Sequence, residues 1–185
     1  MRSIVLKAAL VLTASLATVT AAPEVASHEV ASHEVASHEV VVKGSKFFAD
    51  GEQFFLKGFA FQGTGQDPLL NVTQCRYDMD LMRLFGANSV RVYHVDPTKD
   101  HTECMKILAL AGIYLWVDLD TFDTAIRNVG SAWTLDQFQN YAKVMDAFHS
   151  FPNTAGFWIG NEVINSNSNS GAAPYIKAAV TDMRA

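Results

Sequence analysis

A glutamate that could act as a proton donor stands at the end of an apolar run. Gly156-Phe157-Trp158-Ile159 leads into Gly160, Asn161 and Glu162. A carboxylic acid at that position can protonate a leaving oxygen, and the amide of Asn161 can hold a substrate hydroxyl. The other interpretation is that Glu162 caps a helix or lies in its first turn, where acidic side chains are favoured. The residue types alone leave both interpretations open.

Further polar and aromatic side chains end or follow other apolar runs of the chain, among them Gln62, Tyr93 and Asp118. Aromatic rings such as Tyr93 and Trp158 suit the apolar faces of sugar rings, so carbohydrate binding is one chemistry that this set could perform. Asp118 and Asp120 offer carboxylates, for which metal binding is the other possibility.

Three basic or titratable side chains also lie near these runs. Arg91 stands inside a β-rich run, where an unpaired charge is costly. It could orient a catalytic carboxylate through a salt bridge, or it could support the core. His94 and His101 could act as site bases, but their positions favour loop and helix-capping roles.

The positions of these residues depend on alternating strands and helices. A β-hairpin is predicted at the start, because Asp50-Gly51 separates two apolar runs and favours a tight turn. Four strand–helix units then follow. The predicted strands are 55–61, 89–93, 113–119 and 155–159, and the predicted helices are 75–85, 100–111, one from Thr134 that Pro152 ends, and 172–185.

Helical periodicity predicts which face of each helix is buried. The expected faces are Tyr77, Leu81, Leu84 and Phe85 on the first helix, Cys104, Ile107, Leu108 and Ala111 on the second, and Leu135, Phe138, Ala142 and Met145 on the third. Asp100 with Glu103, and Thr134 with Gln137, have the spacing of capping boxes.

This alternation predicts an α/β fold with a parallel sheet and helices outside it. A doubly wound sheet and a (β/α)8 TIM barrel are the two candidates. Gly63-Thr64-Gly65 is too short to be a phosphate-binding loop, so a dinucleotide fold is weakly supported. Polar side chains cluster after the strands, where barrels place their chemistry. We therefore expect residues 41–185 to form the first four βα units of a barrel, after an N-terminal β-hairpin.

The first 40 residues precede this predicted domain. Residues 1–22 hold basic residues and a small-residue apolar run ending in Ala21-Ala22, which predicts a secretory signal peptide. A transmembrane anchor is the other interpretation, but the apolar run is short and rich in Ala and Thr. Residues 23–40 contain three tandem copies of Ala-Ser-His-Glu-Val. We expect a solvated low-complexity linker, with metal capture by the repeated histidines as the alternative.

Composition and charge exclude some classes of function. Apolar residues make up 49% of the chain and charged residues 18%, which is typical of a folded core. A net charge of −5 without a basic stripe argues against nucleic acid as a partner. Cys75 and Cys104 predict one disulfide in an oxidising compartment, with two free buried thiols as the alternative. Asn71-Val72-Thr73 is an N-glycosylation sequon.

Several blocks of the chain together resemble one known family. In chain order the blocks are 42–48, 57–62, 67–69, 88–93, 100–105, 156–163 and 176–180. In this order and with these gaps they resemble the 1,3-β-glucanosyltransferases of glycoside hydrolase family 72, which remodel the glucan of fungal cell walls.

The resemblance implies roles for individual residues. Its fold is the (β/α)8 barrel of retaining glycosidases, with the acid/base after the fourth strand and the nucleophile after the seventh. Glu162 matches the acid/base, and Asn161 and Tyr93 match substrate-binding positions. Gln62 and Asp118 match positions that line the donor side.

The resemblance also implies a disulfide bond and a cellular location. Cys75 and Cys104 match a disulfide that joins the first two helices. The expected location is secreted, at the cell surface or cell wall. Full-length family members usually carry a GPI anchor, their only expected contact with the membrane, whereas we expect no such anchor on this product, because its sequence holds no hydrophobic C-terminal tail. No cofactor and no metal are expected, because retaining glycoside chemistry needs no ion.

The implied function is a 1,3-β-glucanosyltransferase that cleaves and religates β-1,3-glucan, with donor and acceptor glucan chains as partners. The second catalytic glutamate should lie beyond Ala185, so we expect the chain to be a fragment that is inactive alone. A β-glucan hydrolase of the same clan and a vestigial, non-catalytic glucan-binding secreted protein are the alternatives.

The chain departs from the family pattern at three places. The loop 63–70 is shorter, and Phe61 stands where Tyr is common. Residues 123–127 keep only a loose version of the loop that follows the third strand. The shorter loop could alter the donor-side contacts.

Overall fold

The computed structural model describes residues 39–62 and 67–184, which form an antiparallel sheet, a parallel sheet and the helices around them. The strands are β1 (Val41–Lys43), β2 (Lys46–Ala49), β3 (Glu52–Phe54), β4 (Gly58–Ala60), β5 (Ser89–Val92), β6 (Tyr114–Asp118) and β7 (Thr154–Trp158). The α-helices are α1 (Val72–Leu84), α2 (Thr102–Leu110), α3 (Leu135–Phe148) and α4 (Ala173–Asp182). Short 3-10 helices at Pro68–Leu70 and Asn167–Ala172 precede α1 and α4. The predicted signal peptide, the linker up to residue 38 and Gly63-Thr64-Gly65 lie outside the described residues.

The first sheet is antiparallel, in the order β1-β2-β3, so the region of the predicted hairpin contains three strands. Asp50 and Gly51 connect β2 to β3 with φ angles of 54° and 86°. Positive φ at both central residues is the geometry of a type I′ turn, whose twist matches that of the flanking strands.

This first sheet packs against the parallel sheet through aromatic rings. Phe47 meets Trp116 edge-on at 5.3 Å between ring centroids, and Phe54 meets Tyr114 at 5.2 Å. Val40 is buried in the same cluster, so the folded part includes the last residue of the predicted linker.

The second sheet is parallel, in the order β4-β5-β6-β7, as expected for consecutive βα units. Its register places Arg91 opposite Trp116 and Asp118 opposite Trp158. Gly156 on β7 leaves room for the Trp116 ring of the neighbouring strand β6, because a Cβ at Gly156 would lie 2.8 Å from Cζ3 of Trp116.

The main core lies between one face of the parallel sheet and helices α1, α2 and α3. Its fully buried members include Val90, Val92, Leu115 and Val117 from strands and Met79, Leu108, Tyr141 and Phe148 from helices. Burying one such side chain stabilises the fold by about 1.5–3 kcal/mol.

Helix α2 buries Cys104, Ile107 and Leu108 of its predicted face, whereas the predicted face of α1 was wrong and that of α3 was right in part, since Met145 packs half-buried against the core. Leu84 is 81% exposed and Leu135 is 70% exposed. Each helix carries a second apolar stripe with helical spacing, and the sheet covers that one instead. The stripe is Cys75, Met79 and Met82 on α1 and Tyr141, Val144 and Phe148 on α3.

The helix starts differ in how far they follow the sequence. Thr134 and Gln137 form the predicted capping box at the start of α3. The box predicted from Asp100 and Glu103 is absent. Asp100 Oδ1 accepts a hydrogen bond from the Thr102 amide at 2.9 Å. Glu103 instead accepts one from Nζ of Lys106, one helical turn later.

The predicted disulfide, Cys75–Cys104, joins α1 to α2. None of the helices in the described ranges is long and apolar enough to cross a membrane.

Candidate active site

The five predicted site residues all lie at or just past the carboxyl ends of the parallel strands. Gln62 follows β4, Tyr93 follows β5, Asp118 ends β6, and Asn161 and Glu162 follow β7. Because neighbouring parallel strands end at one edge of the sheet, the topology brings these positions to one side of the molecule.

An ion pair between β5 and β6 forms the centre of this edge. Arg91 donates from Nε to Asp118 Oδ1 and from Nη2 to Asp118 Oδ2, each at 2.7 Å. The Asp118 side chain is 1% exposed and that of Arg91 is 26% exposed. A two-pronged, charge-assisted pair of this kind fixes both side chains, and the hydrogen bond to Asp118 raises the pKa of Arg91.

The guanidinium of Arg91 also reaches the loop after β7. Its Nη2 donates to Asn161 Oδ1 at 3.3 Å. The Tyr93 ring lies 4.5 Å from Cζ of Arg91 and the Trp158 ring 4.9 Å from it, which are cation–π distances. Arg91 thus orients an amide and two aromatic rings around one buried carboxylate.

Glu162 is exposed and has a backbone φ of 52°, in the left-handed region that non-glycine residues rarely adopt. Gly160, two residues earlier, has a φ of 80°. The helix-cap interpretation of Glu162 was wrong, since the next helix begins at Asn167 with Ser166 as its cap. Backbone strain at a polar strand end is a common feature of functional sites.

Asp120 is a buried carboxyl group beside this centre, 7% exposed. Burial raises its pKa to about 6, and the charge of Asp118 adds to that rise. Hydrogen bonds from the backbone amides of Asp120 and Gly160 act in the opposite direction, as does the Arg91 charge. Its Oδ1 has no partner among the described residues. Asp120 therefore links the ion pair to the turn that carries Glu162.

An open groove with a volume of about 320 Å³ lies along the face of the sheet, and Arg91 of the ion pair is part of its lining. Aromatic side chains supply much of its lining, namely Phe59, Tyr93, Trp116 and Trp158. The size lies in the range of about 300–1,000 Å³ that is usual for small-ligand sites, and flat rings suit the apolar faces of sugars.

The two histidines have different surroundings. Nε2 of His101 is 2.8 Å from Asp67 Oδ2, and both side chains are buried, so this pair holds the loop before α1. His94 instead stacks on Phe122, with 3.9 Å between ring centroids. Neither of these contacts involves Glu162.

Among these features the ion pair was only half anticipated from sequence. A charged residue inside a strand indicated a partner for Arg91, but not which one, because the partner depends on strand register. The sequence identified Asp120 as a carboxylate near a strand end. It did not predict that Asp120 is buried or that it accepts a hydrogen bond from the Gly160 amide.

Comparison with known proteins identifies relatives of this chain. The family model for glucanosyltransferases, glycoside hydrolase family 72, matches residues 29–185. A 1,3-beta-glucanosyltransferase of Arthroderma benhamiae is 42% identical over 156 residues, covering 77% of this chain and 29% of that protein. The 1,3-beta-glucanosyltransferase GAS2 of Saccharomyces cerevisiae is 37% identical, covering 78% of this chain and 29% of that protein.

The fold agrees as well. Saccharomyces cerevisiae Gas2p, solved in complex with laminaritriose and laminaritetraose, is 39% identical and superposes with a TM-score of 0.76. The match covers 80% of this chain and 35% of that chain. The chain thus spans about a third of the length of these relatives.

Proposed function

This chain belongs to the glucanosyltransferase family, glycoside hydrolase family 72, and we propose that it supplies the acid/base part of a 1,3-β-glucanosyltransferase active site. The observation that carries the proposal is the contact of Arg91, Asp118 and Asn161 from three neighbouring strands, with Arg91 also lining a groove of aromatic rings. A relative of the same fold is solved in complex with laminari-oligosaccharides, which supports β-1,3-glucan as the ligand.

The proposed chemistry uses two carboxyl groups. Glu162 donates a proton to the glycosidic oxygen as the bond to the anomeric carbon breaks. A second carboxylate, about 5–5.5 Å away, forms the covalent glycosyl intermediate. Glu162 then takes the proton from a glucan hydroxyl that attacks this intermediate, so the acceptor chain is lengthened. Asn161, held by Arg91, binds a hydroxyl of the reacting sugar.

We propose that β4 to β7 are the first four strands of a (β/α)8 barrel. The parallel order β4-β5-β6-β7 and the chemistry at the carboxyl ends both support this. In this arrangement the second carboxylate follows the seventh strand of the barrel. The polypeptide of residues 1–185 then holds only one member of the catalytic pair.

The test is product analysis with laminari-oligosaccharides. The 185-residue chain alone is expected to give no lengthened products. Co-expression with the C-terminal part of the GAS2 catalytic domain is expected to give products longer than the donor. Glu162→Gln should abolish them, because a carboxamide cannot donate the proton, whereas Glu103→Gln on the exposed face of α2 should not.

Each other result contradicts a stated part of the proposal. Lengthened products from residues 1–185 alone would show that the chain needs no second half. Shortened products without longer ones would identify a hydrolase, in which water is the acceptor. Binding without turnover in the co-expressed protein would identify a glucan-binding protein.

We also propose that the protein is secreted to the cell surface and glycosylated at Asn71. The Asn71 side chain is exposed, and its Oδ1 caps α1 by accepting from the Gln74 amide at 3.1 Å, which leaves Nδ2 free for a glycan. Thr73→Val removes the sequon and keeps this cap. Treatment with an endoglycosidase should therefore shift the mobility of the unaltered protein and not of the variant.

A further inference from the structure

The proposed acid/base is held by its backbone and not by its side chain. No hydrogen bond or ion pair of the Glu162 side chain is found within residues 39–62 and 67–184. The direction of its carboxyl group therefore depends on the turn formed by Gly160, Asn161 and Glu162. Two of these residues have a positive φ, 80° at Gly160 and 52° at Glu162. A strained turn of this kind persists only where the surrounding structure holds it.

Side chains from the neighbouring strands hold the first two residues of this turn. Arg91 donates to Asn161 Oδ1 at 3.3 Å, and the Gly160 amide donates to the Asp120 carboxyl group. On another side of the turn, a Cβ at Gly160 would lie 3.0 Å from Cγ2 of the buried Val163. Arg91 keeps its charge throughout the pH range of proteins, so Asp120 is the contact of the turn that a proton can change.

A carboxyl group is a costly choice at position 120. Asp120 is 7% exposed, and burial disfavours the charged form. An asparagine could accept the same amide without that cost, because its side-chain oxygen is also an acceptor. Burial raises the pKa of Asp120 to about 6. Buried carboxyl groups with a raised pKa are concentrated at functional sites, where their proton has a role.

Groups from three elements act on the Asp120 carboxyl group. Asp118 on β6 repels its charge, and Arg91 on β5 attracts it. On α3, burial raises the pKa of Tyr141, and the charge of Asp120 adds to that rise. Beside these groups, the turn after β7 contributes the Gly160 amide. The charge of Asp120 is thus opposed by burial and by Asp118, and the Gly160 amide and Arg91 offset this only in part.

We propose that Asp120 is a positioning residue for Glu162: by accepting the Gly160 amide it fixes the turn that orients the acid/base, and it does so more firmly when it is ionised. A hydrogen bond to a charged acceptor is roughly twice as strong as one to a neutral acceptor. The turn is therefore held more tightly above a pH of about 6 than below it. The proposal rests on the proposed function, because it assumes that Glu162 is the acid/base.

The first measurement follows the Gly160 amide by NMR in the 185-residue chain labelled with nitrogen-15 glycine. Its proton resonance should move downfield with a midpoint at a pH of about 6, because ionisation of Asp120 strengthens the hydrogen bond. Asp120→Asn has a neutral acceptor and should lack this transition. The amide of Gly171, an exposed residue of the following 3-10 helix, is the internal reference. A Gly160 resonance that does not titrate, or that titrates equally in Asp120→Asn, would overturn the proposal.

The second measurement separates kcat from KM in the protein co-expressed with the C-terminal part of the GAS2 catalytic domain. Asp120→Ala removes the acceptor and should lower kcat about 100-fold with little change in KM, since a misplaced proton donor impairs the chemical step more than binding. Asp120→Asn should restore most of kcat and move the acidic limb of its pH profile to lower pH. Asp136→Asn, at an exposed aspartate in the first turn of α3, is the matched control and should alter neither.

The outcomes separate this proposal from the proposed function. Equal kcat values of Asp120→Ala and the unaltered protein would overturn the positioning role and leave the proposed function intact. A loss of kcat that Asp120→Asn does not restore, or an acidic limb that Asp120→Asn leaves in place, would also overturn it. Absence of lengthened products from the unaltered co-expressed protein would contradict the proposed function, and the Gly160 titration would still decide whether Asp120 fixes the turn.

Discussion

At the scale of the residue, Asp120 couples the charge of the site to its geometry. Its carboxyl group is buried beside Asp118, and it accepts the amide of Gly160 at the start of the turn that carries Glu162. Because burial raises its pKa from 3.8 to about 6, the folded state binds a proton at Asp120 more tightly than the unfolded chain does. The stability that Asp120 contributes is therefore present at acidic pH and is lost as the pH rises towards 6.

Asp120→Asn is expected to remove this dependence. The free energy of unfolding of the unaltered chain, relative to the variant, should fall by about 2 kcal/mol between pH 4 and pH 7, because each unit of pKa shift corresponds to about 1.4 kcal/mol and the unfolded carboxyl is already partly ionised at pH 4. Urea unfolding at several pH values measures it. Asp123→Asn, at an exposed position three residues on, is the control: it keeps Asp120 and should keep the pH dependence of the unaltered chain. Parallel curves for the unaltered chain and Asp120→Asn would refute the argument.

The residue types predicted Glu162 and Asn161 as neighbours in a site, because both stand in one short segment. They did not predict that Arg91 would hold Asn161 and Asp118 together. That arrangement follows from the register of β5 on β6 and β6 on β7, which joins residues distant in sequence and leaves no local signal.

At the scale of the element, β7 depends on a glycine. A Cβ at Gly156 would lie 2.8 Å from Cζ3 of Trp116, closer than real Cβ contacts allow. Trp116 is 6% exposed, packs edge-on against Phe47 and lines the groove, so it has little room to move. Added atoms in a filled space force side chains from their rotamers.

Gly156→Ala is therefore expected to lower the free energy of unfolding by about 1–3 kcal/mol and to change the fluorescence of Trp116. Gly171→Ala is the matched control, because nothing lies within 4 Å of a Cβ at Gly171. A Gly156→Ala protein as stable as the control, with unchanged fluorescence, would show that the strand can shift without cost.

The elements themselves were largely predictable. Each of the parallel strands of the structure falls within or next to its predicted range, because β-rich runs are bounded by glycines and polar residues. The sequence did not predict which face of α1, or most of which face of α3, is buried, because each helix carries two apolar stripes with the same helical spacing. Which stripe is buried depends on how the helix sits on the sheet, and periodicity carries no information about that.

At the scale of the whole molecule, one apolar surface is notable. Phe59 on the outer strand β4 pairs with Phe85 after α1, at 6.3 Å between ring centroids, and Leu84 beside it is 81% exposed. An outer strand with unpaired backbone groups next to exposed apolar side chains favours association between chains. Leu84 and Phe85 of this surface belong to the face of the first helix that sequence periodicity assigned to the core.

We expect residues 1–185 to self-associate as their concentration rises. Leu84→Glu should reduce this association, since a charge on the apolar surface opposes contact between copies. Leu135→Glu alters a side chain of similar exposure, 70%, on α3 and should have a smaller effect. Sedimentation velocity over a range of concentrations measures both. A monomer at every concentration would mean that the surface is not adhesive.

The left-handed backbone at Glu162 has a consequence for directed evolution. Glycine adopts that conformation with less strain, by about 1 kcal/mol, so Glu162→Gly is expected to tolerate heat or protease better than the original. A library sorted only for fold robustness would then enrich members that have lost their proposed proton donor. Selection for stability alone favours glycine at position 162, whereas selection for activity favours glutamate. Directed evolution of this protein for stability therefore needs a screen for transferase activity beside it.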